Sequence, residues 1–102
     1  MTSARKPSLY PDDRVCFVCK TPLNVEQHHI FKASRRPISD REGATIWLCH
    51  EHHQGRMGVH SDHRFDAWLK RDCQRRWMER EHATVDDFRD VFYASYLDEE
   101  DK

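Results

Sequence analysis

The chain has little apolar surface to bury. Of its 102 residues only 37% are hydrophobic, 34% are charged, and the mean hydropathy is -0.98. No apolar run approaches the length of a signal sequence core or a membrane span, so the expectation is a cytoplasmic protein with no membrane partner. There are no internal repeats and no low-complexity linker, which argues against a solenoid or a string of modules. With four cysteines, one of them (Cys73) alone in a helical stretch, there is no disulfide framework either. A core this small needs a supplement, and a structural metal is the economical one.

Net charge is also nearly absent, at -1, but its distribution is uneven. Residues 1–82 carry 15 Lys+Arg and 11 Asp+Glu, a balance of +4, whereas residues 83–102 carry 2 and 7, a balance of -5. A basic body with an acidic end leaves nucleic acid open as a partner.

What the chain does have is a concentration of histidine. Six of its eight histidines lie between His28 and His60, and Cys16, Cys19 and Cys49 lie within or just before that span. Cys16-x-x-Cys19 and Cys49-x-x-His52 read as two half-sites of one tetrahedral zinc site, since each three-residue interval closes on a metal around a tight turn. His52 repeats the cysteine interval; His53 and His50 are the alternatives for the fourth ligand. A redox CxxC would leave the second half-site unexplained and lacks a surrounding βαβ pattern.

The elements follow the same stretch. Residues 1–13, polar and with Pro7 and Pro11, read as a flexible lead. Val25–Phe31 and Thr45–Leu48 read as an antiparallel hairpin, joined by a basic connection over 32–43 with one helical turn near Ser39–Glu42. A short helix from His50 stops near Gly55 or Gly58. Ser61 or Asp62 caps a helix over 63–82, where Phe65, Leu69, Cys73 and Trp77 form an apolar stripe with Trp68 beside it. Thr84-Val85-Asp86-Asp87 resembles a capping box opening a last helix over 85–97, with Phe88, Val91, Phe92, Ser95 and Tyr96 facing inward. Residues 98–102 read as a solvated acidic tail. The architecture expected is α+β: a hairpin–helix core over 14–60, two C-terminal helices over 61–97, and one domain over 14–97.

His28 and His29 are adjacent on the first strand and therefore point to opposite sides, so one can take a metal while the other addresses a water. His53 and His60 are seven apart, about 10 Å along an unbroken helix, and can share a metal only if Gly55 and Gly58 let the chain turn back. Lys32, Arg35 and Arg36 could grip phosphates or form an ordinary solvated loop. Arg71, Arg75 and Arg76 read as helix surface. Cys73 and the tryptophans Trp47, Trp68 and Trp77 read as core or strand-face residues, and His63 and His82 as incidental.

Cys16-x-x-Cys19, Gln27-His28-His29-Ile30-Phe31, Trp47-Leu48-Cys49-x-x-His52-His53 and Gly58-Val59-His60 together resemble the HNH, or ββα-metal, endonucleases. More narrowly, they resemble the small HNH proteins of bacteriophages and prophages, over about residues 14–97. The resemblance implies a zinc-knuckle ββα-metal fold and metal-dependent cleavage of DNA, as a nick or a double-strand break, in the cytoplasm of a bacterial host. It implies His29 as general base, His28 and His53 as ligands of a catalytic divalent cation (Mg²⁺, Mn²⁺, Ni²⁺ or Zn²⁺), and His60 as a further ligand. Cys16, Cys19, Cys49 and His52 match the structural zinc set. The chain departs from the family at Ala44, where an Asn usually braces the hairpin and the base. That departure favours a rival reading: a catalytically weak or inactive zinc-fold DNA-binding or recombination accessory protein. A zinc-stapled module that binds another protein through its acidic end is a third. Oligomeric state, target sequence and strand number are open.

Overall fold

The computed structural model describes residues 6–56 and 58–97. Two strands, β1 (Val25–His29) and β2 (Thr45–Cys49), pair antiparallel with His28 opposite Ile46 and His29 opposite Thr45. Between them lie a 3₁₀ turn (Ala33–Arg35) and helix α1 (Arg36–Glu42). Helix α2 (His50–His53) follows β2 directly, and α3 (His63–Glu81) and α4 (Val85–Phe92) complete the chain. The small α+β architecture is that expected. No helix among the described residues is long and apolar enough to cross a membrane.

Several boundaries moved for physical reasons. The connection holds two full turns of helix because Pro37 sits in the first turn of α1, where its missing N–H costs nothing. That helix ends at Gly43, which adopts φ 78°. A Cβ there would collide with the Pro7 carbonyl, so only glycine fits both the left-handed cap and the close approach. Helix α4 is shorter than its pattern suggested. Tyr93 turns left-handed (φ 69°) and closes it, leaving Ser95 and Tyr96 beyond the helix. The capping box at Thr84 and Asp87 and the Asp62 cap form as read.

One buried cluster runs from Tyr10 through Ile30, Phe31, Ile46, Leu48, Leu69, Cys73 and Trp77 to Phe88 and Phe92. Its aromatic centre has Phe88 stacked on Phe92 at 4.3 Å and Phe31 beside them, 4.8 Å from Phe92. Tyr96, though past the helix, still lies 5.3 Å from Phe31. Leu69, Cys73 and Trp77 are buried as expected, but Trp68 is 43% exposed, one position off the stripe. Buried Gln74 was not foreseen. Its amide donates to Ser95 Oγ (2.9 Å) and accepts from the Tyr96 backbone (2.7 Å), tying the last segment to α3.

The expected flexible lead differs in its described part, residues 6–13. Lys6 and Leu9 donate backbone hydrogen bonds to Arg41 and Gly43, and Tyr10 is buried with its hydroxyl donating to Asp72 (2.6 Å). Arg76 lies over the Tyr10 ring (4.1 Å) and donates to the Leu9 carbonyl. This segment thus packs on the body through an aromatic anchor. Residues 1–5 and the acidic tail, 98–102, lie outside the described residues.

Candidate metal centres

Two groups of ligand side chains form, on the two sides of the β2–α2 junction. Cys16, Cys19, Cys49 and His52 offer four atoms, all within 4.8 Å of one another. Cys49 ends β2, and α2 begins at the next residue, which carries His52 to within 3.2 Å (Nδ1) of the Cys49 sulfur. Opposite, the turn after Cys16 is closed by the Lys20 N–H on the Cys16 carbonyl, with Lys20 itself left-handed at φ 66°. Thiolates at about 2.3 Å and imidazole nitrogens at about 2.05 Å from a tetrahedral ion stand about 3.8 Å apart sulfur to sulfur and about 3.6 Å sulfur to nitrogen. The Cys19–Cys49 and Cys16–His52 separations are 3.8 and 3.6 Å. Those two separations match a tetrahedral ion, the Cys49–His52 separation of 3.2 Å is shorter, and the four atoms together could hold a metal. Burial pushes the Cys16 thiol up, but the backbone N–H groups of Cys19, Cys49 and Val18 outweigh it and bring it down to about 6, favouring the thiolate that ligates metal.

His52, and not His53, lies with the three cysteines. His28, His53 and His60 form the second group, again within 4.8 Å. The turn that the glycines had to permit exists: α2 stops after His53, and the Val59 and His60 N–H groups return to the carbonyls of His52 and His53. Gly58 makes this possible, because a Cβ there would lie 2.7 Å from the His53 carbonyl carbon and oxygen. His53 Nε2 and His60 Nε2 stand 3.0 Å apart. Nitrogen ligands at about 2.05 Å would be about 2.9 Å apart at right angles and about 3.3 Å apart in a tetrahedron. His28 Nε2 is buried with no hydrogen-bond partner, an uncompensated polar atom in a site where a cation would satisfy it. Burial, then the positive charge of His53, His60 and Lys32, hold the His28 imidazole down to about 3, so it is neutral and ligand-ready at physiological pH.

Two further residues pair with these neighbouring histidines, and both escaped the sequence reading. Glu26 shares a strand face with His28, and its carboxylate accepts from His53 Nδ1 (2.7 Å) and lies 3.2 Å from His50 Nδ1. With the His53 proton held on Nδ1, Nε2 is free to ligate, the arrangement that metal-binding histidines commonly require. Asp40, on α1, lies 2.8 Å from His29 Nε2. The signal for Glu26 was its i, i+2 relation to His28; Asp40 is placed only by the packing of α1.

A cavity of about 230 Å³ is lined by Gln27, His28, His29, Lys32, Ala33, Arg36, His53 and His60. His29, expected on the side opposite His28, lines the same cavity. Lys32 and Arg36 are exposed there, with Lys32 Nζ 3.2 Å from His60 Nδ1. Arg35 is set apart from them. Its guanidinium donates to the Tyr96 hydroxyl (2.9 Å), and it does not line the cavity. His63 is exposed, and His82 serves as the left-handed cap of α3. No family model, characterised protein or solved structure matches the chain.

Proposed function

We propose that the protein is a metal-dependent DNA endonuclease of the HNH type, the family its motifs resemble, with Zn²⁺ held by Cys16, Cys19, Cys49 and His52 as a structural staple. One observation carries this reading: His28, His53 and His60 converge on a cavity that also contains His29 and two exposed cations, Lys32 and Arg36. A structural site has no need of a fourth histidine or of an open, basic rim; phosphodiester hydrolysis uses both. His28, His53 and His60 would hold a divalent cation, which polarises the phosphate and stabilises the departing 3′ oxygen. Imidazole ligands suit several transition metals as well as Mg²⁺.

The chain's own residues supply the rest. Lys32 and Arg36 hold phosphates on the cavity rim without reading bases. His29 receives the proton of the attacking water as the water oxygen bonds to phosphorus and the P–O3′ bond breaks. A second reading, DNA binding without cleavage, is favoured by Ala44, whose methyl group has no polar atom to offer the base.

The test is nicking of supercoiled plasmid by metal-loaded protein with Mg²⁺, Mn²⁺, Ni²⁺ or EDTA, beside His29→Ala of equal fold and zinc content. Metal-dependent nicking that falls by about 10²–10⁴-fold in His29→Ala is the expected outcome. Salt-sensitive DNA binding with no cleavage under any metal would replace this reading with the second.

A further inference from the structure

We propose that Asp40 is the positioning residue for His29, fixing its ring so that Nδ1 is the atom presented to the cavity; this rests on the nuclease reading above. The hydrogen bond is long-range in sequence, eleven residues, and short in space, with Asp40 Oδ1 2.8 Å from His29 Nε2. A carboxylate only accepts, so the shared proton belongs to Nε2 and the lone pair lies on Nδ1. Among the described residues Nδ1 has no hydrogen-bond partner. One nitrogen is thus committed and the other is available, the division a proton acceptor requires.

Asp40 is itself held on both sides. Ser39, fully buried, accepts from the Phe31 N–H (3.0 Å) and donates to the Phe31 carbonyl (2.8 Å), locking α1 to the chain leaving β1. Glu42, 4% exposed, accepts from Lys6, Arg41 and Trp77. The backbone that carries Asp40 is thereby pinned on both sides of it, opposite His29. The hairpin offers no substitute: Ala44 is apolar and fully buried, and no side-chain hydrogen bond joins Thr45, the cross-strand partner of His29, to the ring.

Asp40 does not belong to the cation site. It lines the neighbouring cavity with Lys6, Ser8, Asp12, Gln27, Gly43 and Thr45, and the His28, His53 and His60 group does not include it. His29 lines the first cavity and is bonded through Nε2 to Asp40, which lines the second. Asp40 therefore acts through His29 alone.

The experiment uses the full zinc-loaded chain and the variants Asp40→Ala, Asp40→Asn, His29→Ala and Asp40→Ala/His29→Ala. Asp40→Ala is expected to lower kcat for plasmid nicking by at least about 10–100-fold, the range known for carboxylates that orient a metal-bound imidazole. KM, zinc content and melting temperature should stay at wild-type values. Asp40→Asn keeps an acceptor for Nε2–H and should lose less. In the His29→Ala background Asp40→Ala should cost nothing further. Without substrate, the hydrogen-bonded His29 Nε2 proton should give a low-field imidazole resonance that is present in the wild type and Asp40→Asn and absent in Asp40→Ala. Wild-type kcat in Asp40→Ala, or an additive loss in the double variant, would overturn the proposal. A wild-type protein that never nicks overturns the nuclease reading instead, and the imidazole resonance still decides whether the pairing exists.

Discussion

Glu42→Gln should destabilise the protein far more than a glutamate-to-glutamine change on a polar chain normally does. The carboxylate is 4% exposed and sits where three segments meet: Lys6 (2.8 Å) from the N-terminal segment, Arg41 (2.9 Å) from α1 and Trp77 Nε1 (3.0 Å) from α3. Burial pushes this carboxyl up, but the bonds from Lys6, Trp77 and Arg41 outweigh it and hold it at about 2 against an ordinary 4.5. That difference corresponds to about 3.4 kcal/mol favouring the charged native form. Glutamine keeps one acceptor and loses the charge, so about 2–3 kcal/mol should go, and Glu42→Ala should lose about 3–5 kcal/mol. For a chain of this size Glu42→Gln would lower Tm by roughly 10–20 °C. The assay is urea unfolding of metal-loaded protein at pH 7, with a thermal melt beside it. Because the folded pKa is depressed, this stabilisation is complete above about 4.5 and is lost as pH falls toward 2. The gap between wild type and variant should therefore stay constant from pH 5 to 8. A Glu42→Gln variant within about 0.5 kcal/mol of wild type would refute the reasoning, and with it the idea that α1 is firmly fixed.

Three other outcomes follow from the two candidate metal centres. Chelation, or Cys49→Ser, should unfold the chain outright, because structural zinc is worth about 10–16 kcal/mol and a domain's whole stability is about 5–15 kcal/mol; circular dichroism before and after chelation reads this, and a native spectrum afterwards would contradict it. His28 is held at about 3, while the unfolded chain takes up that proton near 6.5, so acid destabilises the fold. Between pH 7.5 and 5.5 the wild type should lose about 1.4 kcal/mol more than His28→Gln, measured by urea unfolding at each pH. Glu26→Gln should weaken Co²⁺ binding at the His28, His53 and His60 site by about 10–100-fold and leave the cysteine site's absorption bands unchanged. Equal weakening at both sites would mean Glu26 serves the fold rather than His53.

The grouping of the candidate ligands was legible in the sequence because ligand spacing is a local property. A three-residue interval brings Cys49 and His52 together whatever the rest of the chain does, and Gly58 advertised the turn that returns His60 to His53. The groups that tune those ligands were not legible, for the opposite reason. Asp40 reaches His29 only because Ser39 and Glu42 pin α1, and those bonds run to Phe31, Lys6 and Trp77, scattered over 71 positions of sequence from Lys6 to Trp77. No pattern within the 32–43 connection records them. Glu26 is an intermediate case: its strand face followed from alternation, but its partner depended on where α2 landed. Helix ends failed similarly. Phe88, Val91, Phe92, Ser95 and Tyr96 share a helical period, and nothing in that period announces that Tyr93 will turn left-handed so that Gln74 can hold Ser95 and Tyr96. The unpolar Ala44, read alone, pointed away from catalysis. Beside Asp40 it carries less weight, since the ring it leaves unbraced already has a carboxylate on its far nitrogen.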